Sequence, residues 1–207
     1  MIKYIEMTLE SRLIFIIFFI LISCSPPIKN LDSKGKTIVC FGNSLTQGVG
    51  AEGEEETYPE VLGKLTGKEV INAGLSGDTT GTALIRLDVE VLNKNPFLVI
   101  LELGGNDFLR HIPKEVTLKN LERIIMTIQD KGIQVALCDV SSGFILSGYR
   151  RDFKRLCQKT GAIFIPRLLE GILDNPSLKY DYIHPNGKGY RIIAQRIYQA
   201  ISRYVSF

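Results

Sequence analysis

Five short apolar runs rich in β-branched residues, at 37–41, 70–73, 98–103, 134–140 and 162–166, alternate with stretches whose apolar residues recur every three or four positions. Apolar runs without alternation read as strands buried on both faces. The intervening stretches read as helices, carrying Tyr58, Val61, Leu62 and Leu65, then Leu84, Leu87 and Val91, then Leu118, Leu121, Ile125 and Ile128, then Phe153 and Leu156. A last one carries Tyr190, Ile193, Ile197 and Tyr204. Strands that alternate with helices need crossover connections, which predicts an α/β fold: a five-stranded parallel sheet between two helical layers. At 207 residues and 45% hydrophobic content the chain supports one such domain, not two.

The amino terminus has a different character. After Lys3 and Arg12, the apolar run at 13–22 would cover about 15 Å as a helix, half of the roughly 30 Å of a bilayer core. It is the core of an export signal rather than a membrane span. Glu6 and Glu10 are unusual there, and Met7 is an alternative start. The run ends in Leu21-Ile22-Ser23-Cys24, which resembles a bacterial lipobox, so residues 1–24 are expected to be a lipoprotein signal with Cys24 as the lipidated residue. Residues 25–35, with Pro26-Pro27 and no apolar periodicity, are expected to tether a domain spanning 36–207. The expected location is the bacterial cell envelope, with the domain facing the periplasm or the exterior. Cys40 and Cys138 fall in strands and Cys157 in a helix, which favours buried free thiols over a Cys138–Cys157 bridge.

In open parallel sheets, ligands gather at the carboxyl ends of the strands. Three distinctive loops follow the first three strands: Gly42-Asn43-Ser44-Leu45-Thr46, Gly74-Leu75-Ser76-Gly77-Asp78-Thr79 and Gly104-Gly105-Asn106-Asp107. None has phosphate-loop spacing, and residues 42–48 lack the lysine such a loop needs. Ser44 follows a strand and a glycine, where a nucleophile's hydroxyl projects beside backbone amides. Taken alone, a serine there is more often a helix cap. A serine nucleophile also needs a base, and the chain has two histidines. In Asp181-Tyr182-Ile183-His184-Pro185-Asn186 a carboxylate three residues ahead can reach back to the imidazole and fix its tautomer. His111, between Arg110 and Pro113, has no acid so placed and reads as a surface residue. Attack on a carbonyl also requires donors for the developing oxyanion, for which the Ser44 amide, the Gly77 amide and the Asn106 side chain are candidates.

Taken together these residues resemble the SGNH, or GDSL, hydrolases, whose blocks are named for serine, glycine, asparagine and histidine. Gly42-Asn43-Ser44-Leu45 matches the first block, Gly77 the second, Gly105-Asn106-Asp107 the third, and Asp181 with His184 the last. The resemblance runs from Lys36 to Phe207 and is nearest to the thioesterase, lysophospholipase and arylesterase branch. It implies a flavodoxin-like α/β/α sandwich and hydrolysis of a small acyl ester or thioester through an acyl-enzyme on Ser44, with His184 as base and Asp181 as its partner. Asn43 departs from the family's usual aspartate; an amide keeps much of the hydrogen bonding and leaves the electrostatic setting of Ser44 open.

No cofactor or metal is expected, because the histidines are far apart and the cysteines unpaired. A net charge of +3 spread along the chain gives no basic face for nucleic acid, and the cluster Arg150, Arg151, Lys154 and Arg155 reads as a solvated helix face. A monomer is expected. Two alternatives share these residues: an O-acetyl esterase acting on cell-wall sugars, and an inert binding lipoprotein of the same fold. Residues 141–149, with Phe144, Ile145 and Leu146, lie at the active edge as an acyl-pocket wall or a lid support.

Overall fold

The computed structural model describes residues 27–141 and 147–205. Its strands are β1 (Thr37–Gly42), β2 (Val70–Gly74), β3 (Pro96–Glu102), β4 (Gln134–Cys138) and β5 (Ile163–Ile165). They form one sheet in the order β2-β1-β3-β4-β5, every neighbouring pair parallel. The helices are α1 (Ser44–Gln47), α2 (Tyr58–Thr66), α3 (Thr80–Glu90), α4 (Gly105–Leu109), α5 (Lys114–Gln129), α6 (Ser147–Thr160) and α7 (Gly187–Ile201). The chain steps outward from β1 to β2, then crosses back to lay β3 on the other side of β1. At that reversal the connections diverge and a crevice opens beyond the carboxyl ends of β1 and β3.

Alternation along the strands divides the core. Ile38, Cys40, Leu98 and Ile100 face one layer, against Tyr58 and Leu62 of α2 and Tyr190, Ile193 and Ile197 of α7. Val39, Phe41, Val99 and Leu101 face the other, against Leu87 of α3, Leu121, Ile124 and Ile125 of α5 and Phe153 of α6. Four of these strand residues, Ile38 to Phe41, are 0% exposed, so β1 is covered on both faces and carries the first loop from the centre of the molecule.

Some expectations are corrected at the edges. Leu65 is 38% exposed on the outer side of α2, and Tyr204, 40% exposed, lies beyond the end of α7. Arg150 does not belong to a solvated face: its Nε donates to the buried Asp139 carboxylate at 2.7 Å. Cys40, Cys138 and Cys157 are buried free thiols. Within the stretch expected to be a tether, Ile28 packs on the core, the Lys29 amide donates to Gly161 O at 2.9 Å, and Asn30 Nδ2 donates to Gln129 O and Ile133 O, both at 2.9 Å. These contacts lie at the amino ends of β4 and β5. The signal segment and Cys24 fall outside the described residues, as do Phe144, Ile145 and Leu146. Among the described residues, no helix is long and apolar enough to cross a membrane.

Candidate active site

The first loop turns at Gly42, where a Cβ would collide with Thr46 Oγ1 and sit 2.9 Å from Glu102 Oε2. Asn43 follows as the N-cap of α1, its Oδ1 accepting from the Leu45 amide at 2.9 Å. Ser44 therefore begins a helical turn, with its hydroxyl at the carboxyl edge of the sheet.

His184 arrives from the other end of the chain. Its Nε2 is 3.0 Å from Ser44 Oγ, and its Nδ1 is 2.8 Å from Asp181 Oδ2. Asp181 Oδ1 also accepts from the amides of Ile183 and His184, each at 2.8 Å. Burial raises the Asp181 carboxyl, but these bonds, led by the one to the imidazole, outweigh it and hold the group below the usual carboxylate range. Downstream, Asn186 Oδ1 caps α7 by accepting from Lys188 N and Gly189 N, and its Nδ2 donates to Ser177 O at 3.0 Å. The two loops meet at Gly50, whose φ of +95° suits glycine and where a Cβ would stand 2.5 Å from Pro185 O. Tyr190 Oη donates to Val49 O at 2.6 Å across the same seam.

Asn106 sits in the first turn of α4, and its Nδ2 donates one hydrogen to Asp78 O at 2.8 Å, leaving the second unused by that bond. Gly77 has a φ of +83°, and its carbonyl accepts from Arg110 Nη2 at 2.9 Å. A cavity of about 640 Å³ lies over Ser44, with Asn106 and His184 in its lining and Gly77 outside it. Phe108, Leu109, Val140, Leu169, Leu173 and Ile183 give it mainly apolar walls. His111 is exposed and does not line the cavity. A second cleft of about 770 Å³, around Lys34, Asn95 and Lys131 at the opposite edge of the sheet, contains no serine and histidine pair.

Three acidic groups around this site were given no role from the sequence, although Asp78 and Asp107 stand inside its distinctive loops. Glu102 ends β3 with a fully buried carboxyl; desolvation pushes it up to about 8, against hydrogen bonds from Asn43 and Thr46 that favour its charged form. Asp78 pairs with Arg86 at 2.6 Å, and Arg86 Nη2 also donates to Gly42 O at 3.1 Å, tying the second loop to the first. Asp107, 0% exposed, accepts from the Thr80 amide at 2.9 Å and so joins the third loop to α3. The signal in the sequence was one acid, Glu102, inside an otherwise apolar run.

Comparison with known proteins gives one consistent result. Residues 40–192 match the model of the GDSL-like lipase/acylhydrolase family. An arylesterase of Vibrio mimicus is 28% identical over 205 residues, covering 94% of this chain and 99% of the relative. Thioesterase 1/protease 1/lysophospholipase L1 of Escherichia coli K12 is 27% identical over 169 residues, covering 76% and 79%. The crystal structure of the psychrotrophic esterase EstA from Pseudoalteromonas, inhibited by monoethylphosphonate, superposes with a TM-score of 0.72 at 26% identity, covering 82% of this chain and 98% of EstA.

Proposed function

The chain belongs to the GDSL-like lipase/acylhydrolase family, and from that premise we propose that it cleaves carboxylic esters or thioesters through an acyl-enzyme on Ser44. The observation that carries the catalytic assignment is the line of hydrogen bonds from Ser44 Oγ to His184 Nε2 at 3.0 Å and from His184 Nδ1 to Asp181 at 2.8 Å. Ser44 Oγ attacks the carbonyl carbon while His184 Nε2 takes its proton, and Asp181 holds the tautomer and stabilises the imidazolium. The oxyanion is met by the Ser44 amide and the second Asn106 Nδ2 hydrogen, both in the cavity lining. The match of Gly77 to the family's second block assigns its amide, from outside that lining, as the third donor. Each such donor typically supplies about a hundred- to a thousandfold. His184 returns the proton to the departing alcohol or thiol, and water deacylates the enzyme by the same route. The apolar cavity favours an aliphatic or aromatic acyl group over an acetylated sugar.

The test is hydrolysis by purified residues 25–207 of p-nitrophenyl acetate, butyrate, octanoate and palmitate, a long-chain acyl-CoA and a lysophospholipid. Turnover is expected, strongest with acyl groups longer than acetyl; no turnover above buffer with any of them overturns the enzyme reading. For the amino terminus we propose that residues 1–24 direct export, that Cys24 carries lipid, and that the protein works as a monomer in the cell envelope. Support comes from the lipobox-like Leu21-Ile22-Ser23-Cys24. Cys24→Ala is expected to abolish lipid labelling and release the protein from membranes, and unchanged labelling refutes the anchor.

A further inference from the structure

Arg110 stands outside the cavity, and the proton transfers above do not use it. It is the C-cap of α4, one turn beyond Asn106; it is exposed and forms no ion pair among the described residues. Its Nη2 donates to Gly77 O at 2.9 Å, which joins the end of α4 to the second loop across 33 residues. The same Nη2 stands 3.3 Å from the point that a Cβ on Gly77 would occupy, and beyond the glycine's chain neighbours nothing else comes within 4 Å of that point. The guanidinium is thus both bonded to this glycine and packed on its open face.

The second loop needs such a hold. The Asp78 amide donates to Leu75 O at 3.0 Å, closing a turn whose third residue is Gly77 at φ +83° and whose second, Ser76, lacks a positive φ. That is the pattern of a type II turn. In the commoner type I turn the peptide joining the two central residues is turned over, and glycine accepts either form. The Gly77 N–H belongs to that peptide, so the form of the turn decides which way this amide points. Upstream, the Ser76 amide donates to Gln47 Oε1 at 2.8 Å. Downstream, α4 holds two successive carbonyls, Gly77 O through Arg110 and Asp78 O through Asn106 Nδ2. Of these three holds, only that of Arg110 falls on the glycine itself.

We propose that Arg110 is a positioning residue of the oxyanion hole: by gripping the Gly77 carbonyl it keeps the turn in the form that offers the Gly77 amide to the oxyanion. This rests on the reading of Ser44 as nucleophile and of Gly77 as the third donor. The guanidinium itself does not meet the reacting atoms. Because its bond is exposed, it adds little to stability. Its effect falls on the rate, through a donor that counts only once charge has built up on the carbonyl oxygen.

The experiment measures kcat and KM of wild type, Arg110→Ala and Arg110→Met on p-nitrophenyl butyrate and on its thiono analogue, in which a sulfur, a weak acceptor, replaces the carbonyl oxygen. Acylation and deacylation both pass through the oxyanion, so kcat reports on it whichever step is slower. On the oxygen ester both variants are expected to lose about tenfold in kcat, short of the hundredfold or more of a donor removed outright, with KM within about twofold. Their melting temperatures should stay within about 2 °C of wild type. On the thiono ester the loss should be under about threefold, because little bonding to the oxyanion is left to misdirect. Wild-type kcat in both variants, or equal losses on the two esters, overturns the role. A loss confined to Arg110→Ala also overturns it, since Met keeps the packing of the stem and lacks only the donor. Ser44→Ala separates the two readings: if it keeps activity the nucleophile is wrong, and if it is dead while both Arg110 variants match wild type only the positioning role falls.

Discussion

Asn43, Thr46 and Glu102, which hold Ser44, are at most 4% exposed, and two of their bonds join residues 56 and 59 apart in the chain. Tyr182 and Ile183, between the acid and the base, are 91% and 49% exposed, and the bonds that set Asp181 against His184 span two or three residues. The nucleophile thus stands on a shelf that belongs to the core, while the base hangs on a surface loop organised by its own carboxylate. Damage to the shelf should cost stability as well as rate; damage to the loop should cost mainly rate.

The largest effect should come from the loop. His184→Ala is expected to lower kcat by about ten-thousandfold, Ser44→Ala equally, and the double variant no further, because residues acting as one unit do not lose additively. A folded His184→Ala enzyme keeping more than about a tenth of wild-type kcat would break the assignment of the base. Asp181→Asn should come next, with a loss of about a hundred- to ten-thousandfold in kcat, since its amide favours the wrong imidazole tautomer. The melting temperature should move by no more than about 2 °C. The sign of its pH dependence is fixed by the lowered carboxyl: the stability it contributes is present above the unfolded aspartate value of about 3.9 and is lost as pH falls through its lower folded value. Melting curves of wild type and Asp181→Asn should therefore converge in acid; divergence there would contradict the geometry.

On the shelf side, Arg86→Ala leaves Asp78, whose side chain is 2% exposed, without its cation. A cost of about 3 kcal/mol is expected, read as a fall in melting temperature of roughly 6–12 °C, with kcat falling less than for Asp181→Asn. An unchanged melting temperature would remove the distinction between shelf and loop. The smallest effect should be that of His111→Ala, whose exposed side chain lies outside the cavity: kcat within about twofold of wild type in the p-nitrophenyl butyrate assay.

What the sequence made legible follows the same division. Strands and helices could be placed because burial on both faces, or on one face of a helix, writes its period directly into the chain. Asp181 and His184 could be paired because their contact is local. Joining His184 to Ser44 across 140 residues needed the scarcity of histidine and the family resemblance. Glu102 was passed over because its partners lie 56 and 59 residues away and a lone acid in a strand does not announce them. Asn30 escaped notice for another reason: it binds backbone carbonyls, which any sequence supplies. Gly104-Gly105-Asn106-Asp107 read as a loop because its glycines hide that α4 starts at Gly105.

The docking of Ile28, Lys29 and Asn30 beneath β4 and β5 has a mechanical consequence. Between Cys24 and that anchorage there are only about four residue steps, a leash of at most about 14 Å at full stretch. The strands themselves, six residues in β1 and seven in β3, put roughly 20 Å between that edge and the catalytic loops. A lipid on Cys24 would hold the domain by its heel, with too little slack to roll Ser44 down onto the bilayer that bears it. The enzyme would then face outward, toward esters that diffuse to it or are presented from across the gap, and lipids of its own leaflet would lie behind its back.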